Sequence, residues 1–208
     1  MFNIHLKGNY EKESQLIEGK TLREDAIPFE EPDTIQEVFK QGCKYMMPLL
    51  IVIGMLAGIR FGSLDFRITF NFHLVYVICL GIVFTYPLLY IHEFIHALFF
   101  PIHANKSIWK MPKDGAFFVY CDEFISKKRF IVMSGAPLVI LGIFPFVVWL
   151  FVAPLISSNA TIIFLLVSIS MIVGAVGDVA NIVNAYKQVD KDGYVFNYGM
   201  HSYWVKKK

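Results

Sequence analysis

The residues of this chain best suited to chemistry form the motif His92-Glu93-Phe94-Ile95-His96. The HExxH spacing places two imidazoles one helical turn apart on one face, where both can reach the same zinc ion. The glutamate between them lies beside the fourth coordination position and can act as general base on a zinc-bound water. Because the motif lies in an apolar stretch, where ionisable groups are costly to bury, it predicts a catalytic zinc site. The alternative is a coincidental helix with two satisfied histidines.

A catalytic zinc normally has three protein ligands, so a third is needed. Asp178 is the only acidic residue of the fourth apolar stretch, and no Lys or Arg lies in the core of any stretch to neutralise it. A lone carboxylate on a membrane helix needs a metal, a cation or a proton. We therefore expect Asp178 to bind the metal, and a protonated aspartate bonded across helices stays open. His103, which follows His96 without the glycine of longer zincin patterns, is a weaker candidate.

Small and polar residues surround these candidates. Asn181 lies three residues after Asp178 on nearly the same helical face. It can support the site by bonding a zinc ligand or a substrate carbonyl, and interhelical hydrogen bonding is an equally good account. Gly174 and Gly177 would allow a neighbouring helix to approach closely. Ser134-Gly-Ala-Pro137 predicts either small-residue packing or a helix break beside the site.

Composition indicates a membrane protein. The 208 residues are 56% hydrophobic and 17% charged, with a mean hydropathy of +0.53, which excludes an ordinary soluble domain. The fold class that this predicts is an all-α membrane protein, a four-transmembrane-helix bundle with small cytosolic β elements. A net charge of +2 gives no indication of a nucleic-acid partner. Three widely separated cysteines argue against a disulfide framework and against a thiolate zinc site. The predicted spans are about 45–61, 74–100, 130–153 and 161–186.

The basic residues orient this bundle in the lipid bilayer. Six Lys or Arg precede the first span, six lie between residues 101 and 129, and five lie in the C-terminal tail. Only Arg60 and Arg67 lie on the opposite side. By the positive-inside rule, both termini of this multi-pass protein are cytosolic. The metal ligands of the second and fourth spans then lie at similar depth, near the cytosolic face. The predicted division is a cytosolic tail 1–44 with a juxtamembrane helix, a membrane metalloprotease core 45–186 with a cytosolic loop 101–129, and a cytosolic tail 187–208.

The tails and the loop carry local signals. Thr34-Ile35-Gln36-Glu37 is a capping box and predicts a helix that runs into the first span. Residues 1–31 are polar, and we expect them to be extended or irregular. Ala116–Cys121 predicts a short strand. Tyr194-Val195-Phe196 and Tyr203-Trp204-Val205 predict a terminal hairpin, with an aromatic tail at the membrane surface as the alternative.

This combination of motifs resembles the site-2 protease group of intramembrane metalloproteases, which have HExxH near the cytosolic end of one helix and an aspartate on a later helix. In size and layout the chain is more similar to a family of short bacterial membrane proteins, a domain of unknown function described as "putative zincin peptidases". The segments Ala26–Asp33 and Gly199–Trp204 also resemble that family, so the resemblance covers nearly the whole chain. It implies a bacterial cell membrane as the location.

By position, the resemblance implies zinc on His92, His96 and Asp178, with Glu93 as catalytic base. One difference concerns the third ligand. Site-2 proteases usually carry Leu-Asp-Gly or Asn-Pro-Asp-Gly there, whereas a glycine precedes Asp178 and a valine follows it in this chain.

These interpretations together predict a zinc-dependent membrane metalloendopeptidase whose substrate is a membrane protein or a membrane-proximal peptide. A catalytically idle scaffold or chaperone is the alternative, although a structural zinc site has no need of Glu93. Zinc transport would require ionisable groups along a path, and here they cluster at one depth. Because a protease must hold its substrate extended, we expect docking on the edge of strand Ala116–Cys121. A plain surface hairpin is the alternative, and Val119→Pro is the substitution that this expectation suggests.

Overall fold

The computed structural model describes residues 3–32, 34–64, 71–113 and 115–207. It is mostly helical and adds two small β-sheets, which confirms the predicted fold class. Arg67, which contributed to the predicted orientation, lies outside the described residues. Among the described residues, four helical segments are long and apolar enough to cross a membrane: Gln36–Gly62, Phe72–Phe99, Lys127–Leu155 and Ser158–Gln188.

The first long helix begins earlier than the first predicted span because of its capping box. The Thr34 side chain accepts a hydrogen bond from the Glu37 N–H at 3.3 Å, as the sequence motif predicts. The juxtamembrane helix and the first apolar stretch therefore form one continuous helix. The helices of the structure are α1 (Ser14–Ile17), α2 (Ile35–Gly62), α3 (Phe72–Phe99), α4 (Lys127–Pro137), α5 (Phe144–Val152), α6 (Ser158–Gly174) and α7 (Val176–Gln188).

The third and fourth helical segments are not regular along their length. A π-helical turn, Leu138–Ile143, follows Pro137 and separates α4 from α5. Ser134 is buried on α4, so the segment Ser134–Pro137 both packs and precedes an irregular turn. In the fourth segment, Ala175 separates α6 from α7. This break places Asp178 in the first turn of a new helix, where the helix dipole favours a negative charge.

Two small sheets complete the fold. Their strands are β1 (Ile4–Asn9), β2 (Ile27–Pro28), β3 (Lys106–Met111), β4 (Ala116–Tyr120), β5 (Ile125–Ser126), β6 (Tyr194–Tyr198) and β7 (His201–Val205). One sheet has the order β1-β3-β4 and the other the order β2-β7-β6-β5. The predicted strand near residue 116 and the predicted terminal hairpin are both present, as β4 and as the antiparallel pair β6–β7. The N-terminal segment adds a strand to each sheet: β1 pairs parallel with β3, and β2 pairs antiparallel with β7.

Three basic side chains donate hydrogen bonds to backbone carbonyls at the carboxyl ends of α3 and α7, the helices that carry the metal-ligand candidates. Lys106 is fully buried, and its Nζ donates to the carbonyl of Pro101, 2.8 Å away, just after α3. Arg129 donates to the carbonyl of Phe99 on the last turn of α3. Lys127 donates to the carbonyls at the end of α7, at 2.6 and 2.9 Å. Positive charge at the carboxyl end of a helix is favourable, so these contacts stabilise both helix ends.

Candidate metal centre

Three side chains with metal-ligand chemistry converge between α3 and α7. His92 and His96 are buried one turn apart on α3, and Asp178 faces them from α7. The two histidine Nε2 atoms are 3.1 Å apart. An oxygen of Asp178 lies 3.0 Å from His92 Nε2, and the other lies 3.1 Å from His96 Nε2. Two ligands bound tetrahedrally at about 2.0–2.1 Å from zinc would be separated by about 3.3 Å, so this triangle has nearly the size that one ion requires.

The hydrogen bonds around the triangle also fit a metal. Nδ1 of His96 lies 3.0 Å from the carbonyl oxygen of Met133 on α4. A carbonyl only accepts, so Nδ1 carries the proton, and a neutral imidazole then presents the Nε2 lone pair to the triangle. Asp178 Oδ2 is buried and, within the described part of the chain, accepts no hydrogen bond of good geometry, despite its short distance to His92. Buried lone pairs without a donor suit a cation, so these residues fit a zinc ion.

Glu93 lies beside the triangle but outside the ligand group. Its Oε1 is 4.0 Å from His92 Nε2. Its Oε2 accepts a hydrogen bond from the backbone N–H of Val119 on β4, at 2.9 Å. This bond orients the carboxylate and ties the strand to the helix that carries the histidines. The arrangement leaves the Glu93 carboxylate beside the triangle, where it could transfer a proton.

The outer edge of β4 faces this site. Tyr10 N–H donates to the carbonyl of Lys110, so the backbone of Lys110 points toward β1. Lys110 is the register partner of Phe117, and antiparallel pairs alternate in direction. The backbone groups of Phe117 and Val119 therefore both point away from β3, toward the free edge. Since the Val119 N–H also holds Glu93, Val119→Pro would disturb the Glu93 side chain together with the strand edge, and it does not test docking alone.

A groove made of three adjoining cavities follows β4 through the site, and we call it the β4 groove. The central cavity, of about 290 Å³, is lined by the metal-ligand triangle, Glu93 and Asn181. A second, of about 320 Å³, shares Glu93 and Gly174 with it and is lined mainly by apolar groups such as Phe39 and Phe117. A third, of about 350 Å³, shares Asn181 and Asn197 with the central cavity. The groove thus extends from an apolar end to a polar end with the triangle between them.

Residues 85–194, just over half of the chain, match a family described as "Putative zincin peptidase". The chain belongs to this family. Neither a curated protein nor a solved structure matches it. The matched region contains all three members of the triangle, Glu93 and strand β4.

The structure shows where each residue that was predicted for the site lies. The structure brings His92, His96 and Asp178 together, places Glu93 next to them, and places Asn181 in the wall of the central cavity. Within the described part of the chain, His103 is not among the grouped ligands.

Sequence reasoning missed several groups of the site. The Val119 N–H and the Met133 carbonyl are backbone groups, whose roles cannot be inferred from residue type. Asn197 and Ser202 reach the groove from the terminal hairpin, where they are register partners. The sequence of the hairpin contained a signal for them, because two polar residues that pair in an otherwise aromatic hairpin indicate a polar position on one of its faces.

Proposed function

We propose that this protein is a zinc-dependent membrane metalloendopeptidase that hydrolyses membrane-proximal peptide bonds, in the manner of site-2 proteases. The observation that carries the proposal is the convergence of two imidazoles and a carboxylate from two helices, with Glu93 beside them. A purely structural metal site would be closed by a fourth ligand and would have no use for an adjacent carboxylate that binds no metal. Membership of a zincin-like peptidase family supports the same assignment.

Each residue of the site has its own role in the proposed reaction. His92, His96 and Asp178 would hold the zinc ion, which supplies a Lewis acid that acidifies a coordinated water and polarises a carbonyl. Glu93 accepts the proton of the attacking water on its carboxylate and then donates it to the leaving amine. The Val119 N–H holds the Glu93 side chain in place, and the Met133 carbonyl fixes the tautomer of His96. Asn181, in the cavity wall, is a candidate donor to the substrate backbone.

The outer edge of β4 is the proposed docking site for an extended substrate. Strand addition supplies backbone hydrogen bonds that do not depend on the sequence of the substrate. It also holds the substrate backbone extended, so that the peptide bond to be cleaved is not shielded within a helix. Phe117 lines the apolar cavity together with Glu93. Gly177 lines the central cavity and leaves open space there, since a Cβ on it would meet nothing within 4 Å. The apolar end of the groove suits a segment that emerges from a membrane.

The proposed location of the site is the cytosolic side of the membrane. The carboxyl ends of α3 and α7 are bonded by Lys106, Lys127 and Arg129, which belong to the basic set that the positive-inside rule places in the cytosol. His96 lies one turn before the carboxyl end of α3, and Asp178 lies in the first turn of α7, ten residues before its carboxyl end.

The proposal is tested by comparing wild type with Glu93→Gln. Both purified proteins should contain about one zinc per chain, because glutamine leaves the ligand triangle intact. Peptide release from membranes should fall by about 10²–10⁴ in Glu93→Gln, the usual contribution of general acid–base catalysis. Glu18→Gln, at an exposed position, is the matched control and should behave as wild type. Wild-type protein without zinc would refute the metal assignment, and equal peptide release in all three would favour an idle scaffold.

A further inference from the structure

The polar end of the β4 groove is built by three separate parts of the chain. The start of α2 contributes Thr34, strand β4 contributes Tyr120, and the terminal hairpin contributes Asn197 and Ser202. Asn197 and Ser202 also line the central cavity, so the two cavities adjoin at the terminal hairpin. A peptide that crosses the central cavity along β4 would therefore place neighbouring residues in this space.

One carboxylate, that of Glu31, faces this end of the groove. Its Oε1 accepts the Ser202 N–H at 3.0 Å and lies 3.2 Å from His201 Nδ1. Its charged partner in the described part of the chain is His201, whose side chain is 50% exposed, whereas the Glu31 side chain is only 14% exposed. No Lys or Arg is among the described residues that line any of the three cavities. The polar end therefore has a net negative charge that the protein does not neutralise with a permanent cation.

A poorly exposed carboxylate is costly unless it is paired. Because no Lys or Arg of the described residues pairs with Glu31, a cationic group from outside the chain would complete its pairing, and the third cavity, which Glu31 lines, gives access to it. We propose that Glu31 forms a specificity subsite that binds a cationic group of the substrate, an ammonium or a guanidinium. This inference rests on the proposed peptidase function. It defines the substrate class as a peptide that is apolar on one side of the cleaved bond and carries a positive charge on the other.

The substitution Glu31→Gln isolates the charge. A glutamine oxygen can still accept the Ser202 N–H, so the hairpin keeps its contact with the N-terminal segment. Glu30→Gln is the matched control, because Glu30 is adjacent, carries the same charge, is exposed, and lines none of the three cavities. Hydrogen bonds to charged groups contribute enough for a change of about 10- to 100-fold in binding or in kcat/KM.

The experiment uses zinc-loaded protein in detergent and N-acetylated fluorogenic peptides with an apolar half and a polar half. A single lysine is placed at successive positions of the polar half, with norleucine as the uncharged reference. We expect one position at which lysine raises kcat/KM about 10- to 100-fold in wild type and in Glu30→Gln, and has almost no effect in Glu31→Gln. Peptides with a free amino terminus form a second arm, in which dependence on Glu31 would assign the cation to the terminal amine. Lysine selectivity that persists in Glu31→Gln, or selectivity absent from wild type, would overturn the proposal.

Binding separates this inference from the proposed function. Fluorescence anisotropy of the same peptides with Glu93→Gln and with the double variant Glu93→Gln/Glu31→Gln measures the subsite without cleavage. Lysine-dependent binding that disappears in the double variant supports the subsite even if no wild-type cleavage is found, in which case the peptidase assignment alone fails. Cleavage without any lysine-dependent binding refutes the subsite and leaves the peptidase assignment standing.

Discussion

The contact between α2 and α7 allows a sharp prediction at Gly42. A Cβ built at Gly42 would lie 2.7 Å from the Val176 Cγ1 and 2.8 Å from its carbonyl carbon, and nearer still to its carbonyl oxygen. Non-bonded carbon atoms prefer about 3.5–4.0 Å. Because a backbone carbonyl cannot rotate away like a flexible side chain, Gly42→Ala must push the two helices apart. Val176 lies two residues before Asp178, so the displacement should also reach the metal-ligand triangle.

The size of the effect follows from the overlap. Forcing an extra methyl group into a packed interface costs about 1–3 kcal/mol, and for a chain of this size each kcal/mol lowers the unfolding midpoint by about 2–4 °C. We therefore expect Gly42→Ala to lose about 2–12 °C in thermal unfolding in detergent and to bind zinc more weakly. Gly54→Ala on the same helix is the control, because nothing lies within 4 Å of its added Cβ.

Equal midpoints for Gly42→Ala and Gly54→Ala would show that α2 does not approach α7 as described. A lower midpoint for Gly42→Ala with unchanged zinc affinity would support the described packing of α2 on α7. It would refute the prediction that this packing affects zinc binding.

Three further predictions concern the site and its groove. Asp178→Asn should lower zinc affinity by more than the about 10–100-fold typical of losing an outer-shell partner, whereas exposed Asp192→Asn should leave zinc content unchanged in metal analysis. Phe117→Pro removes an edge donor of β4 without touching the bond to Glu93, and it should retain zinc but cleave peptides more slowly than Phe117→Ala; equal rates would contradict strand docking. Burial raises the pKa of the Glu31 carboxyl above its ordinary value, against hydrogen bonds from Ser202 and His201 that lower it. Selectivity for lysine should therefore be present above this raised pKa and disappear as the pH falls through it, at a higher pH than for an exposed glutamate, and a pH-independent ratio of kcat/KM values would contradict this.

The sequence alone determined the local features of this protein. HExxH sets the relation between His92 and His96 because four residues make about one helical turn. The cap at Thr34 depends on contacts within one helical turn, and strand β4 follows from the strand propensity of adjacent residues. Apolar stretches of sufficient length likewise predict the four long helices, since their length follows from the thickness of a bilayer. These features need no knowledge of how distant segments pack.

Tertiary structure decided which of the distant groups meet. The sequence predicted Asp178 as a ligand because its burial lacked a partner, but only the packing of α7 and α3 against α4 brings its oxygens to both imidazoles. The Val119 N–H that holds Glu93, and the place of Glu31 at the end of the groove, depend on how separate strands and helices are arranged. Backbone donors carry no residue-type signal, and a glutamate in a polar tail resembles any solvated one. Their roles arise from contacts over large sequence separations, which local propensity and periodicity do not encode.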